Sequence, residues 1–256
     1  MNTGRPRQPG PRPARHPARA KTTTRHAPRT QRSVRHPRTP VPETRDSGSR
    51  QRILAAATAE FAARGFDGTT VARIAARARL NKAMIYYHFH SKKDLYRTVL
   101  RDIFTLMSER LASVARDDDK PADKMDRFVA TFVTEGQHHA HLAPIMLREI
   151  AEGGRRLDEE TYTAMLRVVR AMSGIVEQGR ASGEFDNVDP ILLYLTTVWP
   201  IVAYLATKPI RSAIARVAHF DASRLDPERF IRHMQMLNRR ALMPAAAGAG
   251  PIGDVS

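Results

Sequence analysis

The 256-residue chain has no cysteine and one tryptophan, and aromatic residues make up only 6 % of it. Without cysteine, neither a disulfide framework nor a thiolate-ligated zinc site can form, and the redox compartment stays open beyond permitting the cytosol. Long apolar runs are missing as well. The longest uncharged one, Ile191 to Ala206, is sixteen residues with Pro200 inside it, short of the roughly 20 that cross a bilayer. A soluble protein with no membrane partner is expected. No alternating pattern of useful length predicts a β-strand. There is no nucleophile elbow and no phosphate-binding glycine loop, and the carboxylates fall mostly at helix caps and surfaces. The chain is therefore not expected to be an enzyme, nor to carry a cofactor.

Positive charge is what the chain has in excess. The formal net charge is +16, and its placement is uneven. Residues 1–48 hold twelve Lys/Arg against Glu43 and Asp46, with nine prolines and almost no large apolar side chain. Such a segment cannot bury enough surface to offset chain entropy, so 1–48 reads as a disordered Arg/Pro-rich tail. It has no apolar h-region of a secretory signal. Two readings of the tail stay open: an electrostatic arm for DNA, or a solvated extension, including one that arises from too early a start codon. The body beyond it is only modestly basic.

From residue 49 onward the apolar spacing is helical, and about nine helices are predicted. Ser49 and Arg50 open the first, with Ile53, Leu54, Ala57 and Phe61 on one face and Gly65 ending it. Thr70 caps a second helix that buries Val71, Ile74 and Ala75, and Asn81 caps a third over Lys82 to about Phe89. Ser91, with Asp94 three residues later, opens a long fourth helix reaching about Arg116. Further helices follow around Phe128 and Phe132, from Pro144 to Gly153, and from Asp158 to Arg180. Asp189-Pro190 and Asp226-Pro227 each give an N-cap followed by proline and open the last two. Pro200 is expected to interrupt the first of these. Residues 244–256 are small and read as a flexible C-terminus.

The second and third helices have the spacing of a helix-turn-helix, which presents the start of its last short helix to the DNA major groove. On that reading Lys82, Ala83 and Met84 face the bases. Lys82 is a donor for guanine O6 and N7, Ala83 and Met84 offer only apolar contact, and Tyr87 is large enough for both. Arg50 is placed to clamp a phosphate at the start of the first helix. Thr70 and Lys92 sit near helix N-termini, where free amides attract phosphate.

The order Ile74-Ala75-x-x-Ala78-x-Leu80-Asn81-x-x-x-Ile85-Tyr86-x-His88-Phe89-x-x-Lys92 resembles the signature of the tetracycline-repressor (TetR) family of bacterial regulators. With the first helix, the resemblance covers about 55 residues. It implies that Tyr86, His88 and Lys92 contact phosphates or sit at the backbone edge. One departure is clear: the turn carries Arg79 where the family usually has glycine, so a positive φ there is strained unless the turn is reshaped. Arg79 is a further candidate for phosphate contact, and Asn81, at the start of the third helix, is a further candidate for DNA contact.

The resemblance also implies an all-α architecture, with a helix-turn-helix domain over 49–96 and a helical effector-binding and dimerisation domain over 97–243. The expected function is a ligand-responsive repressor in the bacterial cytoplasm, nucleoid-associated, binding a palindromic operator as a homodimer. A small apolar or amphipathic effector is expected to fill a pocket lined by Met107, Phe128, Phe132, Met146, Met165, Tyr194 and Trp199. The dimer face is expected on two stripes, Leu195, Val198 and Val202, and Phe230, Met234 and Leu237. A competing reading is an architectural, effector-independent DNA binder driven by the basic tail. Glu135, His138, His139 and His141 invite a metal, but histidines at a helix boundary are unremarkable and no metal is expected.

Overall fold

The computed structural model describes residues 43–219 and 221–244. The tail as far as residue 42 and the segment 245–256 lie outside them. Among the described residues the structure is all-helical, with ten α-helices and one 3-10 turn. In order they are α1 (Glu43–Gly68), α2 (Val71–Ala78), α3 (Lys82–His88), α4 (Lys92–Arg116), α5 (Pro121–His138), α6 (Leu142–Ala151), α7 (Glu159–Ala181), α8 (Pro190–Ala206), α9 (Lys208–Val217) and α10 (Pro227–Leu242). The 3-10 turn, Ala222–Leu225, precedes α10.

Most boundaries follow from side-chain caps. Thr70, Asn81, Ser91, Asp158, Asp189 and Asp226 each accept a hydrogen bond from a backbone amide of the following turn, which satisfies donors a helix start would otherwise orphan. At α4 the reciprocal arm of the cap lands on the amide of His90, which donates to Asp94 Oδ2 at 3.1 Å. Gly65 breaks α1 internally with φ 70°, a value glycine reaches at no steric cost.

Three expectations change. The first helix begins at Glu43 rather than Ser49, so 43–48 belong to a helix and not to the tail. Pro200 does not interrupt α8, which runs unbroken through it. Thr197, Val198 and Ile201 around it are buried, and that packing outweighs the one missing N–H. A tenth helix, α9, follows α8 after Thr207 at a bend of 65°. Its start signal, Pro209 in the first turn, was present in the sequence.

The core forms two clusters. One gathers Ile53, Phe61, Ile74, Ile85, Phe89, Leu95, Tyr96 and Leu100 from α1 to α4, joined by Leu142, Ile145 and Met146 of α6. The other gathers Met107 and Leu111 of α4 with α5, α7, α8 and α10, around Met125, Phe128, Val133, Met172 and Ile201. Helix α4 serves both. No single described helix is long and apolar enough to cross a membrane.

Candidate nucleic-acid interface and the apolar chamber behind it

The turn between α2 and α3 is a Schellman stop. The Leu80 amide donates to Ala75 O at 3.0 Å and the Arg79 amide to Ala76 O at 3.1 Å, closing the end of α2. The motif needs a left-handed residue at 79, and Arg79 takes it with φ 54°, ψ 46°. The strain expected from the missing glycine is therefore present, and the turn is not reshaped.

Helix α3 buries Ile85 against α1 and α2 and leaves its other face to solvent. Lys82, Ala83, Tyr86 and Tyr87 are exposed there, the tyrosines by 57 % and 70 %. Met84 is half-buried and its amide is taken by Asn81 Oδ1 at 2.9 Å. Asn81 is thus committed to its cap. His88 is half-buried with its ring edge-on to Tyr87. Arg50 is exposed and lies over the Phe89 ring at 5.5 Å, and Thr70 caps α2 through the Arg73 amide.

Lys92 departs from expectation. Its ammonium turns inward, donating to Phe66 O at 2.9 Å and Thr69 O at 3.0 Å above the Phe66 ring. Those carbonyls follow the Gly65 break, where Thr69 O has no backbone donor and Phe66 O has only the Thr69 amide at 3.2 Å. The side chain fastens the end of α1 to α4, and only its third N–H remains for anything else.

Where the two core clusters meet, α4 to α8 enclose an apolar chamber of about 60 Å³. Six of the seven expected residues line it: Met107, Phe132, Met146, Met165, Tyr194 and Trp199. Phe128 does not, because it points into the solid packing beside Met125 and Val129. Leu205, Val202 and Gly136 complete the wall on the α5–α8 side. Burial pushes the Tyr194 hydroxyl up to about 12, so it is a neutral group in an apolar wall.

Helix α6 connects this chamber to the exposed helices. Leu142, Ala143 and Met146 face the chamber. One turn on, Arg148 Nη1 donates to Phe61 O at 3.1 Å and to Ala62 O, in the last turn of α1 before its kink. Glu149, 1 % exposed, accepts from the Tyr96 hydroxyl at 2.8 Å and from Arg156 Nη1 at 3.0 Å. Arg156 Nη2 reaches Asp67 Oδ2 at 2.6 Å. Burial first, then the hydrogen bond to Glu149, raises the Tyr96 pKa, which keeps that phenol a donor. The network had one signal in the sequence: Glu149 falls on the helical stripe of Leu142, Ile145 and Met146, where a charge must be paired. Its partners are distant in the chain and carried no signal.

The two expected outer stripes divide. Leu195 and Leu237 are exposed, but Val198 and Met234 are 4 % and 3 % exposed within the second core cluster, and Val202 and Phe230 pack against it. A side chain that fills its own core is not available to a partner, so these four leave the outer face. The apolar residues that do point outward are Ile191, Leu192 and Leu195 on α8 and Met236 and Leu237 on α10, while Trp199 lines the chamber with one edge exposed. The two helices meet at Thr197 and Asn238, both buried, where the Thr197 hydroxyl donates to Asn238 Oδ1 at 3.0 Å. Among the described residues no group of three acidic or histidine side chains is placed to hold a metal ion.

Two family models match the chain. Residues 53–99 match the bacterial regulatory proteins, tetR family, and residues 121–233 match a tetracyclin repressor-like C-terminal domain. The HTH-type transcriptional repressor NicS of Pseudomonas putida is 29 % identical over 147 residues, 54 % of this chain and 66 % of the relative. The HTH-type transcriptional regulator RutR of Escherichia coli is 26 % identical over 144 residues, 56 % of this chain and 68 % of the relative. The chain thus spans about two thirds of the length of these relatives. Among solved structures, a TetR family transcription regulator from Marinobacter aquaeolei superimposes with a TM-score of 0.62 at 21 % identity, covering 79 % of this chain and all of that one.

Proposed function

Because the chain belongs to the tetR family of bacterial regulatory proteins, a family of DNA-binding transcriptional regulators, we propose that it is a cytoplasmic repressor that binds a palindromic operator as a homodimer and is released by a small molecule. The observation that carries the DNA side is the pair of exposed tyrosines, Tyr86 and Tyr87, on a short helix whose opposite face is buried. Large exposed aromatics mark a contact surface rather than a solvated one. In this reading Lys82, Ala83 and Tyr87 meet base edges, and Met84 packs at the margin of the groove. Arg50, Thr70, Arg79, Tyr86 and His88 take the phosphates, which set the register of the head on the duplex. Lys92 holds the scaffold and adds at most one contact. The face of Leu192, Leu195, Met236 and Leu237 joins two subunits, and their separation sets the half-site spacing.

Release follows from chamber size. A ligand site usually measures about 300–1,000 Å³, so a chamber of about 60 Å³ admits an effector only by parting its walls. Helix α6 is one wall, and Arg148 and Glu149 tie it to α1 and α4. Filling the chamber therefore moves the reading head.

The test is binding of the full chain to DNA from upstream of its own gene and to a scrambled duplex, followed by fluorescence anisotropy at physiological salt. Selective binding that Tyr87→Ala and Lys82→Ala each weaken by about a hundred-fold is expected, because each removes one contact per half-site at about 1–3 kcal/mol apiece. Equal affinity for both duplexes, falling in parallel with salt, is what an architectural binder driven by the basic tail does, and refutes the repressor reading.

A further inference from the structure

A second compartment adjoins the chamber. Between α5, α8, α9 and the start of α10 lies a pocket of about 250 Å³, lined by Tyr204, Lys208, Arg211, Ser212 and Gln137 among others. Gly136 and Leu205 line both compartments. The Leu205 side chain occupies the space that a Cβ at position 136 would need. A single leucine, seated on bare α5 backbone, is therefore the partition.

The compartments differ in chemistry. The inner one is lined by no charged side chain. The outer one holds two cations and no carboxylate. Arg211 is held in place: its guanidinium stacks over the Tyr204 ring at 3.8 Å, and its Nη1 donates to Tyr204 O and, at 2.9 Å, to Thr207 Oγ1. Its Nε and Nη2 have no partner among the described residues, nor does the Lys208 ammonium. Asp226, the carboxylate that acts on Tyr204 from the start of α10, caps that helix through the Arg229 amide at 2.7 Å and forms no ion pair with Lys208 or Arg211. Two cations that form no ion pair among the described residues, beside an apolar chamber, suit an anion with an apolar tail. Neither volume alone reaches the lower end of the usual ligand range, whereas the two joined approach it.

We propose that the two compartments form one site for an amphipathic anion, with its carboxylate or phosphate head at Lys208 and Arg211 and its apolar tail in the inner chamber, admitted when Leu205 leaves Gly136. The proposal rests on the effector reading above and narrows it to a ligand class. It also explains why α9 stands at a bend to α8: the bend brings Lys208 and Arg211 over the mouth of the pocket.

The chain's one tryptophan, Trp199, is on the inner wall and reports the tail directly. The full chain is titrated with dodecanoate, dodecyl phosphate, dodecanol and dodecyltrimethylammonium below micelle-forming concentrations, with Trp199 emission as readout. One of the two anions, whichever head the site was built for, binds about ten-fold or more tighter than dodecanol, and the cation binds weakest. Lys208→Gln, at an exposed position, weakens the anion about five-fold and leaves dodecanol unchanged. Leu205→Ala, which removes the partition, tightens the anion. Dodecanol binding as tightly as both anions, indifference of the anion to Lys208→Gln, or no Trp199 response to any of the four overturns the proposal. DNA release is read separately. An anion that binds through Lys208 yet leaves the DNA complex intact supports the site and sinks the effector reading. Release by these amphiphiles without dependence on Lys208 does the reverse.

Discussion

Replacing Arg79 by glycine should make the protein more stable and a weaker DNA binder, and the two effects have separable causes. Arg79 sits at φ 54° in the stop that ends α2. An L-residue there costs roughly 1–2 kcal/mol. Glycine removes that cost but adds unfolded-chain entropy of about 0.5–1 kcal/mol. The net gain is about 0.5–1 kcal/mol, or about 1–4 °C in melting temperature for a domain of this size. Nothing offsets it locally, because the side chain is exposed and both hydrogen bonds of the stop are made by backbone amides that glycine keeps. Arg79→Ala is the control: it retains Cβ and hence the strain, so its melting temperature should stay within about 1 °C. Both variants lose a proposed phosphate contact in each of the two half-sites, so the slope of log K against log salt should shrink by about 1.8 for each. Thermal denaturation at matched protein concentration and salt-dependent anisotropy measure the two quantities. A lower melting temperature for Arg79→Gly, or an equal rise for Arg79→Ala, refutes the strain account.

Four further outcomes are expected. Arg156→Met strips the cation from the buried Glu149 carboxylate and should cost about 3–5 kcal/mol; adding Glu149→Gln should restore most of it, and a double variant no better than the single one contradicts the pairing. Lys92→Met orphans the Thr69 carbonyl and leaves Phe66 O with only the Thr69 amide, and should cost about 1.5–3 kcal/mol, seen as a lower denaturant midpoint; an unchanged midpoint with weaker DNA binding would return Lys92 to the phosphates. At Asp158 burial pulls the carboxyl upward, but hydrogen bonds from Thr161 and the Arg97 cation outweigh it and hold the pKa below the ordinary value. Its stabilisation is present above the unfolded pKa and lost as pH falls through the folded one, so Asp158→Asn should flatten the acid limb of a stability–pH curve. The Tyr194 hydroxyl, raised to about 12 by burial, gives the opposite limb: stability is lost as pH rises from about 10 to 12. Tyr194→Phe should remove that loss, and an alkaline limb identical to the parent's would show that the phenol does not report it.

The fold was legible because its signals are local. Caps at Thr70, Asn81, Ser91, Asp158, Asp189 and Asp226 are each decided within one turn of chain, and each starts a helix as read. At Arg79 the sequence showed that a glycine position was filled by another residue, and the structure decided between a reshaped turn and a positive φ in favour of the latter. Six of seven chamber residues could be anticipated because bulky flexible side chains on core-facing stripes converge wherever helices meet. Phe128 shows the limit: the same chemistry on the same stripe faces solid packing one turn from the chamber.

What the sequence by itself determined was the class of the molecule, its helices and the exposed chemistry of α3, because these depend on spacing of 3 to 4 residues and on single caps. Tertiary structure alone decided where charge and helical phase were spent. Lys92 could not be told from a phosphate ligand until Phe66 and Thr69 were brought to it from 26 and 23 residues away. Val198 and Met234 could not be assigned to core or outer face until α8 and α10 met at Thr197 and Asn238. The pairing of Glu149 with Tyr96, and the closing of Leu205 over Gly136, join residues 53 and 69 positions apart. Contacts at that range depend on how whole helices pack, and no local pattern encodes them.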